Sequence, residues 1–488
     1  MSEEAPTGAA GQRFEILFWW TAALLSIFNL SLRAWAARGP LWLDELWSVD
    51  LVRSFGWRSV AVVFDNNHPL NTAWINLMGP DAHPWLLRLP GILAGPASVL
   101  AVGLLLRNSQ AAPFLGMGLV SLCSTLVVIG SEARGYGLML STLFVMLWAA
   151  RRGSTEPGSY WRVVIALAVL VGVLAQPLGA AAAAAAGISF LWLRWLETGQ
   201  PRAVLLDGMR FLGPGILACV VLGALVLLQS LAAGARMGDY VPFAPDDLLR
   251  GWLSLQALIL GLPAGMLSLT GLACLTVLVL AILKLDRESL AISLPLFLVP
   301  PILMAVLKLP NTIHSRYHLV SGCGLLLMFA LLCARYWSHG GGRRAAAAVV
   351  LLGWSAGQVE LMVDFRRSGR GDFLPAIQAA SLQVDPSGAP VTVGVDSEAR
   401  GLFLLSDAAR RAGLAFSFVP RTAYCLQPPA LYLQTGRGTT NPALIVVAEQ
   451  GCAANYSLLA RVDSSRINGM PGAIYRLDNT AMNPPLGH

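Results

Sequence analysis

Residues 14–48 read FEILFWWTAALLSIFNLSLRAWAARGPLWLDELWS, and apolar runs like the first part of this stretch recur as far as about residue 363. Residues 14–35 approach the ~20 residues that an α-helix needs to cross a bilayer. Asp44 and Glu45 then follow, among tryptophan and leucine neighbours. Charged groups in apolar surroundings at a membrane surface are costly and tend to mark chemistry. Carboxylates are also favoured in the first turn of a helix by the backbone dipole, so a capping role is the alternative.

The composition of the whole chain is that of a membrane protein. Of its 488 residues, 56% are hydrophobic and only 12% are charged, and the mean hydropathy is +0.62. Soluble proteins carry about 25% charged residues, so most of this chain must be solvated by lipid. The first residues, MSEEAPTGAAGQ, lack a basic region, and we expect no cleaved signal peptide. No basic run is interleaved with aromatic residues, so a nucleic-acid partner is not expected.

The apolar runs predict a polytopic α-helical membrane protein with about eleven transmembrane helices. The predicted spans cover residues 14–35, 85–106, 111–130, 137–150, 161–177, 179–195, 211–231, 264–283, 289–307, 319–337 and 345–363. Basic residues in the short loops place the N-terminus in the cytoplasm. Arg134 and Arg316 then lie in outer turns, against the positive-inside rule, so each requires a partner or a task. The apolar stretch 252–265 is short and interrupted by Gly and Pro, which predicts a re-entrant or surface-lying helix.

The sequence predicts two domains: a transmembrane domain over residues 1–363, with a long first outer loop at about 36–84, and a small soluble α/β domain over residues 364–488. The runs VTVGV (391–395), ALIVVA (443–448), LAFSFV and AIYRLD predict strands, and SEARGLFLLSDAARRAG predicts a helix. An odd number of spans places this tail in the periplasm. There Cys425 and Cys452 are equally compatible with a disulfide and with two unrelated thiols.

Short polar motifs follow one another in a definite order along the first 320 residues. They are Asp44-Glu45, Asp65-x-x-His68-Pro69, Arg88 at the start of the second span, Glu132-Ala-Arg134-x-Tyr136 and Arg316-Tyr317. This order resembles that of the GT-C glycosyltransferases that use lipid-phosphate sugars, the superfamily of the protein O-mannosyltransferases and the aminoarabinose (lipid A) transferases. Two motifs depart from the family: its His-Pro-Pro-Leu is His68-Pro69-Leu70-Asn71 here, and its Arg-Pro-Tyr is Arg134-Gly135-Tyr136.

The resemblance implies an inverting glycosyltransferase of the bacterial inner membrane. Such an enzyme moves a sugar from a polyprenyl-phosphate carrier to an envelope acceptor (a glycan, a lipid or a protein) at the outer face. By motif position Asp44 is the candidate base, and Glu45 orients it or binds the acceptor. Arg134 and Arg316 are the candidates for binding the donor phosphate, because a guanidinium is a planar and permanently charged fork.

Six further residues are candidates for substrate binding, and most have a structural alternative: Asp65, His68, Glu132, Tyr136, Tyr317 and His318. His68 binds sugar or phosphate, or caps a turn before Pro69. Glu132 pairs with Arg134 or helps to bind the acceptor. The two tyrosines bind substrate or anchor the chain at the membrane interface. His318, with His314, flanks Arg316 as a supporting group or a phosphate ligand.

No cofactor is predicted. Asp44, Glu45, Asp65 and His68 lack a metal-ligand spacing such as HExxH, and the resemblance implies no obligatory metal, although a divalent ion is compatible with these side chains. The alternative function is a transporter or flippase for lipid-linked or anionic solutes. Transporters place ionisable residues near the bilayer midplane, often in internal repeats, whereas these spans are nearly free of carboxylates and show no repeat. A scaffold for envelope assembly would leave the loop motifs unexplained.

Overall fold

The computed structural model describes residues 9–61, 67–109, 111–156, 158–233, 241–263, 265–384, 390–420, 423, 427–435 and 456–478. The chain divides into two compact units. The helical unit comprises Met1–Arg38 and Leu51–Met362, and the sheet unit comprises Gly39–Asp50 and Val363–His488.

Sixteen α-helices in the described residues lie wholly or partly in the helical unit. They are α1 (Ala9–Ala36), α2 (Leu43–Phe55), α3 (Pro69–Met78), α4 (Pro84–Leu87), α5 (Leu89–Leu105), α6 (Ala112–Leu122), α7 (Ser124–Gly130), α8 (Tyr136–Thr155), α9 (Ser159–Ala175), α10 (Gly179–Thr198), α11 (Pro201–Ala233), α12 (Pro245–Leu260), α13 (Leu267–Lys284), α14 (Arg287–Val306), α15 (Leu319–Ser338) and α16 (Gly341–Ser368). Two 3-10 helices, Gly56–Ala61 and Ser315–His318, lie in the connections. The division between the units falls inside α2 and α16.

All eleven predicted spans fall on helices, so the polytopic helical fold is confirmed. By length and composition, six described helices can cross a membrane, and the number rises to eight if two bent pairs count as one span each. One pair is α6 and α7, which meet at 56°, and the other lies within α11, which bends by 57°. Because α5 and α9 are shorter apolar helices, the count of eleven stays a prediction. The predicted short helix at 252–265 is the C-terminal part of α12, which ends at Gly261 in the left-handed conformation.

Ion pairs connect one end of the helical unit. Arg151, at the end of α8, pairs with Glu288 in the first turn of α14 at 2.5 Å, and it also donates to the carbonyl oxygen of Leu105 at the end of α5. Arg194, near the end of α10, pairs with Asp207 of α11 at 2.8 Å. This end carries the turns that the sequence assigns to the cytoplasm.

The sheet unit contains five described strands: β1 (Val391–Val395), β2 (Phe416–Phe418), β3 (Leu431–Thr435), β4 (Tyr456–Val462) and β5 (Gly472–Leu477). Their order is β2-β1-β3-β5-β4, with β2, β1 and β3 parallel and β5 antiparallel to both β3 and β4. Helices α17 (Leu374–Val384) and α18 (Glu398–Ala412) accompany the sheet. The predicted α/β class is confirmed, with β1, α18, β2 and β5 where the sequence indicates them. The predicted strand at 443–448 lies outside the described residues, as do Cys425 and Cys452.

The segment Gly39–Asp50 groups with the sheet unit because its apolar side chains are part of that unit's core. Trp42, Leu43 and Leu46 pack in one buried cluster with residues of α17, α18 and the sheet. Trp47 also packs its ring edge-on against Phe403 of α18, with centroids 5.7 Å apart. The apolar residues that flank the acidic pair therefore have a packing role.

Candidate functional site

The candidate site in the helical unit is centred on the turn 131–135, between α7 and α8. Glu132 and Arg134 in this turn are buried. Glycines allow the backbone to pack closely at its base: a Cβ on Gly91 would lie 2.6 Å from the carbonyl oxygen of Gly130, and one on Gly137 would lie 2.5 Å from the same atom. The turn is therefore shaped by contacts that only glycine permits.

Gly135 explains one departure from the family motif. A Cβ at this position would overlap the carbonyl oxygen of Ala175, the last residue of α9. Any other residue, including the proline that the family carries, would therefore have to move the end of α9. The Arg134-Gly135-Tyr136 motif thus reflects a close helix contact in this chain.

His68 lies at the start of α3, directly before Pro69. Its side chain makes no capping hydrogen bond. Both ring nitrogens are buried and have no hydrogen-bond partner among the residues described. The capping alternative for His68 is therefore wrong. Asn71, one turn further on, donates from Nδ2 to the carbonyl oxygen of Ala133 at 2.6 Å and so ties α3 to the turn 131–135.

Tyr136 lies between His68 and Arg134. The Arg134 guanidinium is 5.0 Å from the centroid of the Tyr136 ring, and the His68 ring centroid is 6.2 Å away. Tyr136 is fully buried, and its hydroxyl has no hydrogen-bond partner in the described part of the chain. An interfacial anchor would reach the lipid headgroups, so this alternative is wrong for Tyr136.

Arg316 lies near His68 and Tyr136, although it is about 180 residues further along the sequence than Tyr136. Burial lowers the pKa of His68 well below its usual range, and the positive charges of Arg134 and Arg316 lower it further. Arg316 also lies 5.7 Å from the ring centroid of Tyr317. The structure thus brings together six of the predicted site residues, linked by ring contacts and electrostatic interactions: His68, Glu132, Arg134, Tyr136, Arg316 and Tyr317.

The segment that carries Arg316 is held by backbone contacts. His318 Nε2 lies 2.8 Å from the carbonyl oxygen of Thr312, so this nitrogen carries the hydrogen and His318 supports the segment. Asn311, at φ 60°, exchanges two 2.9 Å hydrogen bonds with the backbone of Val241. Gly251 of α12 makes room for Thr312, whose carbonyl oxygen a Cβ would overlap.

Sequence reasoning missed Asn71, Asn311 and Gly251 as residues that shape the site. Asn71 carried a signal, since it replaces the leucine of the family motif. Asn311 and Gly251 carried no signal in the sequence, because their partners Val241 and Thr312 are about 60–70 residues away along the chain.

Asp44 and Glu45 belong to the sheet unit and lie in the first turn of α2. Both are buried. The backbone N–H of Trp42 donates to Glu45 Oε2 at 3.1 Å, which is one half of a capping box. The capping alternative therefore holds for Glu45.

Asp65 lies outside the described residues. Among the residues that are described, no three His, Cys, Asp or Glu side chains converge as a metal site would require.

The apolar helices, the bent spans and the small sheet define a polytopic α-helical membrane protein with a separate sheet unit. The crystal structure of ArnT from Cupriavidus metallidurans bound to undecaprenyl phosphate is similar, with a TM-score of 0.50 and 13% identity over 98% of this chain and 100% of that chain. A second similar structure is the archaeal oligosaccharyltransferase AglB from Archaeoglobus fulgidus in complex with an inhibitory peptide and a dolichol-phosphate. Its TM-score is 0.52, and its sequence identity is 12% over 97% of this chain and 75% of that chain. No family model and no curated protein sequence matches. These two structures confirm the fold that the resemblance to the GT-C glycosyltransferases implies.

Proposed function

We propose that this protein is an inverting glycosyltransferase that takes a sugar from a polyprenyl-phosphate carrier. One observation carries the proposal: the Arg134 guanidinium lies 5.0 Å from the ring centroid of buried Tyr136, whose ring is also next to buried His68. The positive charge of Arg316 adds to that of Arg134 around both groups. A buried polar group without a partner costs about 1–3 kcal/mol, which favours a ligand that supplies the missing hydrogen bonds. A phosphate fits this set, because its oxygens accept from guanidinium, imidazole and phenol groups alike.

The fold adds support of a more general kind. ArnT was solved with undecaprenyl phosphate and AglB with a dolichol-phosphate, both of which are polyprenyl phosphates. We infer that the carrier of this protein belongs to the same chemical class. Its donor is then a phosphodiester with one negative charge, and its product is a polyprenyl phosphate.

In the proposed reaction, an acceptor hydroxyl attacks the anomeric carbon of the sugar. The new carbon–oxygen bond forms as the bond from this carbon to the phosphate oxygen breaks, and the configuration at the carbon inverts. The bonding electrons leave with the polyprenyl phosphate, whose growing charge is stabilised by Arg134 and Arg316. The acceptor proton passes to a carboxylate base.

Asp44 is the proposed base, from its place in the motif order. Glu45 next to it is engaged in part with the backbone of Trp42, which supports a role in fixing the start of α2 and thereby in orienting Asp44. Asp65 keeps its proposed role in substrate binding, together with Glu132 and Tyr317. The acceptor is proposed to be an envelope glycan, lipid or protein.

We further propose that the site faces the periplasm from the bacterial inner membrane, with the N-terminus in the cytoplasm. The support is the distribution of charge. The end of the helical unit that carries the Arg151–Glu288 and Arg194–Asp207 ion pairs is rich in basic residues, as cytoplasmic turns are.

The test is transfer of radiolabelled sugar from polyprenyl-phosphate donors to envelope extracts by the purified protein. Asp44→Asn should lower turnover roughly a hundredfold or more while donor binding persists. Arg134→Ala and Arg316→Ala should each weaken donor binding by about tenfold or more, since each removes a charged donor of hydrogen bonds. Arg58→Ala, at an exposed position of the first loop, serves as the control and should change nothing.

Undiminished transfer by Asp44→Asn would remove Asp44 as the base. Unchanged donor affinity in both arginine variants would defeat the phosphate assignment. Absence of transfer with every donor, combined with movement of a polyprenyl-phosphate sugar across vesicles, would favour the transporter alternative.

A further inference from the structure

A second kind of arginine lies inside the helical unit. Arg33, near the end of α1, is only 1% exposed. Its Nη1 donates to two backbone carbonyl oxygens, that of Gly91 in α5 at 2.7 Å and that of Gly130 at 3.1 Å. Among the described residues no carboxylate forms an ion pair with it. A buried guanidinium is expensive, so these two carbonyls must compensate for much of its lost hydration.

The two carbonyl oxygens are well placed to stabilise the buried guanidinium of Arg33. Gly130 is the last residue of α7, where the carbonyls have no partner within the helix and the helix dipole is negative. The glycines also make the space: a Cβ on Gly130 would lie 2.6 Å from Arg33 Nη1, and one on Gly95 would lie 2.6 Å from Arg33 Cδ. Both glycines thus leave room for the path of this side chain.

Arg88 makes the reverse connection. It is fully buried at the N-cap of α5, and its Nη1 donates to the carbonyl oxygen of Ala37, directly after α1, at 2.7 Å. Each of the two helices therefore sends an arginine to the backbone of the other. We call Arg33 and Arg88, with the carbonyls of Ala37, Gly91 and Gly130, the arginine–carbonyl clamp.

We infer that Arg33 is a positioning residue that, through Gly130, sets the turn 131–135 and with it the guanidinium of Arg134. The turn begins directly after Gly130. The other acceptor, Gly91, packs against the same turn, since a Cβ there would lie 3.0 Å from the carbonyl oxygen of Glu132. Both carbonyls bound by Arg33 thus lie at the base of the turn. The inference rests on the proposed function only in naming a polyprenyl phosphate as the ligand of Arg134.

The test compares three variants of the full chain in lipid nanodiscs. Arg33→Met keeps the length of the side chain but removes its donors, and Arg33→Lys keeps a charge that can donate to both carbonyls. Arg107→Met is the matched control, because Arg107 follows α5 and pairs with Glu15 near the other end of α1. Affinity for undecaprenyl phosphate and hydrogen–deuterium exchange of the backbone amides of residues 130–136 are measured.

Arg33→Met should bind undecaprenyl phosphate about tenfold more weakly and exchange faster in the turn, and Arg33→Lys should restore part of both. Arg107→Met should leave both at the wild-type level. If Arg33 acts through Arg134, Arg33→Met should cause no further loss of affinity in an Arg134→Ala background. An additive loss there would overturn the inference.

The two proposals fail in different ways. If the wild type does not bind undecaprenyl phosphate, the proposed function fails, and exchange in the turn still decides the role of Arg33. If the wild type binds, and Arg33→Met changes neither affinity nor exchange, the inference is overturned. Should Arg33→Met not fold, Arg33→Lys is measured with and without Arg134→Ala. Weaker binding together with faster exchange in the turn, and no further loss of affinity in the Arg134→Ala background, supports the inference. Weaker binding with unchanged exchange, or a further loss in that background, refutes it.

Discussion

Arginine serves two purposes in this protein. Arg134 and Arg316 lie beside tyrosine rings and near the buried His68, and we propose that they bind the donor phosphate. Arg33 and Arg88 donate to backbone carbonyls between helices. The positive-inside rule drew attention to Arg134 and Arg316 because they occupy predicted outer turns. It cannot recognise Arg33, whose partners are more than fifty residues away in sequence.

The depressed pKa of His68 predicts a stability that depends on pH. Below the usual histidine value of 6.5, the unfolded chain binds a proton that the folded chain excludes, because burial and two guanidiniums oppose charge on the ring. Folded-state stability should therefore fall as the pH drops below 6.5, by at most about 1.4 kcal/mol per pH unit from this residue, and His68 should add no pH dependence above it.

The measurement is the melting temperature of the purified protein between pH 5 and 7.5. The wild type should lose more stability than His68→Gln on acidification, because glutamine has no proton to exclude. Parallel curves for the two proteins would contradict a neutral, buried His68.

Gly135 allows a sharp test of the packing beneath the site. In Gly135→Ala the new methyl group would overlap the carbonyl oxygen of Ala175, a backbone atom that cannot rotate away. We expect a loss of about 1–3 kcal/mol in unfolding free energy and weaker donor binding. Gly118→Ala in α6 is the control, because a Cβ there meets nothing within 4 Å, and it should stabilise the helix by up to about 1 kcal/mol. Equal behaviour of the two variants would count against the close contact.

At the scale of elements, the break between α6 and α7 is stabilised by a side chain from α16. Gln358 is buried and accepts from the backbone N–H of Ser124, the first residue of α7, at 2.8 Å. Its Nε2 also donates to the carbonyl oxygens of Leu258 and Ile259 at the end of α12, at 3.0 and 3.1 Å. One amide thus serves two helix ends whose backbone groups would otherwise be unsatisfied in lipid.

Removing this amide should destabilise the helical unit. Gln358→Leu replaces the amide by an apolar side chain of similar size. The buried N–H of Ser124 and the carbonyl oxygens of Leu258 and Ile259 then lose this partner, at an expected cost of about 1–3 kcal/mol in unfolding free energy. Chemical unfolding in detergent measures the effect. The neighbouring Val359 is exposed, so Val359→Leu should be neutral. A neutral result for Gln358→Leu would mean that water or lipid satisfies these groups.

At the scale of the whole molecule, the sequence predicts features that depend on composition or local order. Every span that hydropathy predicts falls on a helix, and six residues of the predicted motifs lie near one another in the structure. The grouping of Gly39–Asp50 with the sheet unit depends on how Trp42, Leu43 and Leu46 pack with residues beyond 370, which no local pattern encodes. Strands β3 and β4 do not follow the alternating pattern of a half-buried strand. All five residues of β3 are buried, and the burial of β4 does not alternate regularly. The clamp and the contact at Gly135 are close approaches between helices, which hydropathy does not resolve.

The predicted count of eleven spans has a consequence for the two ends of the protein. An odd number of spans puts the N-terminal end of α1 and the sheet unit on opposite sides of the membrane. Single cysteines at the exposed positions Gln12 and Gln383 report these sides. Exposed Asn108, beside the ion-paired end of the helical unit, and exposed His314, beside Arg316, calibrate the inner and outer faces. In a background with Cys425 and Cys452 replaced by serine, the cysteines that remain in the chain are buried or half-buried, which keeps labelling low.

A membrane-impermeant maleimide applied to intact spheroplasts should label the cysteines at His314 and Gln383. It should reach those at Gln12 and Asn108 only after permeabilisation. Labelling of Gln12 and Gln383 from the same side would make the number of spans even and would refute the count of eleven. Labelling of the cysteine at His314 from the cytoplasmic side would instead show that the orientation is the reverse of the proposed one. The donor would then have to be supplied on the cytoplasmic face of the membrane. The calibration pair therefore separates an error in span number from an error in orientation.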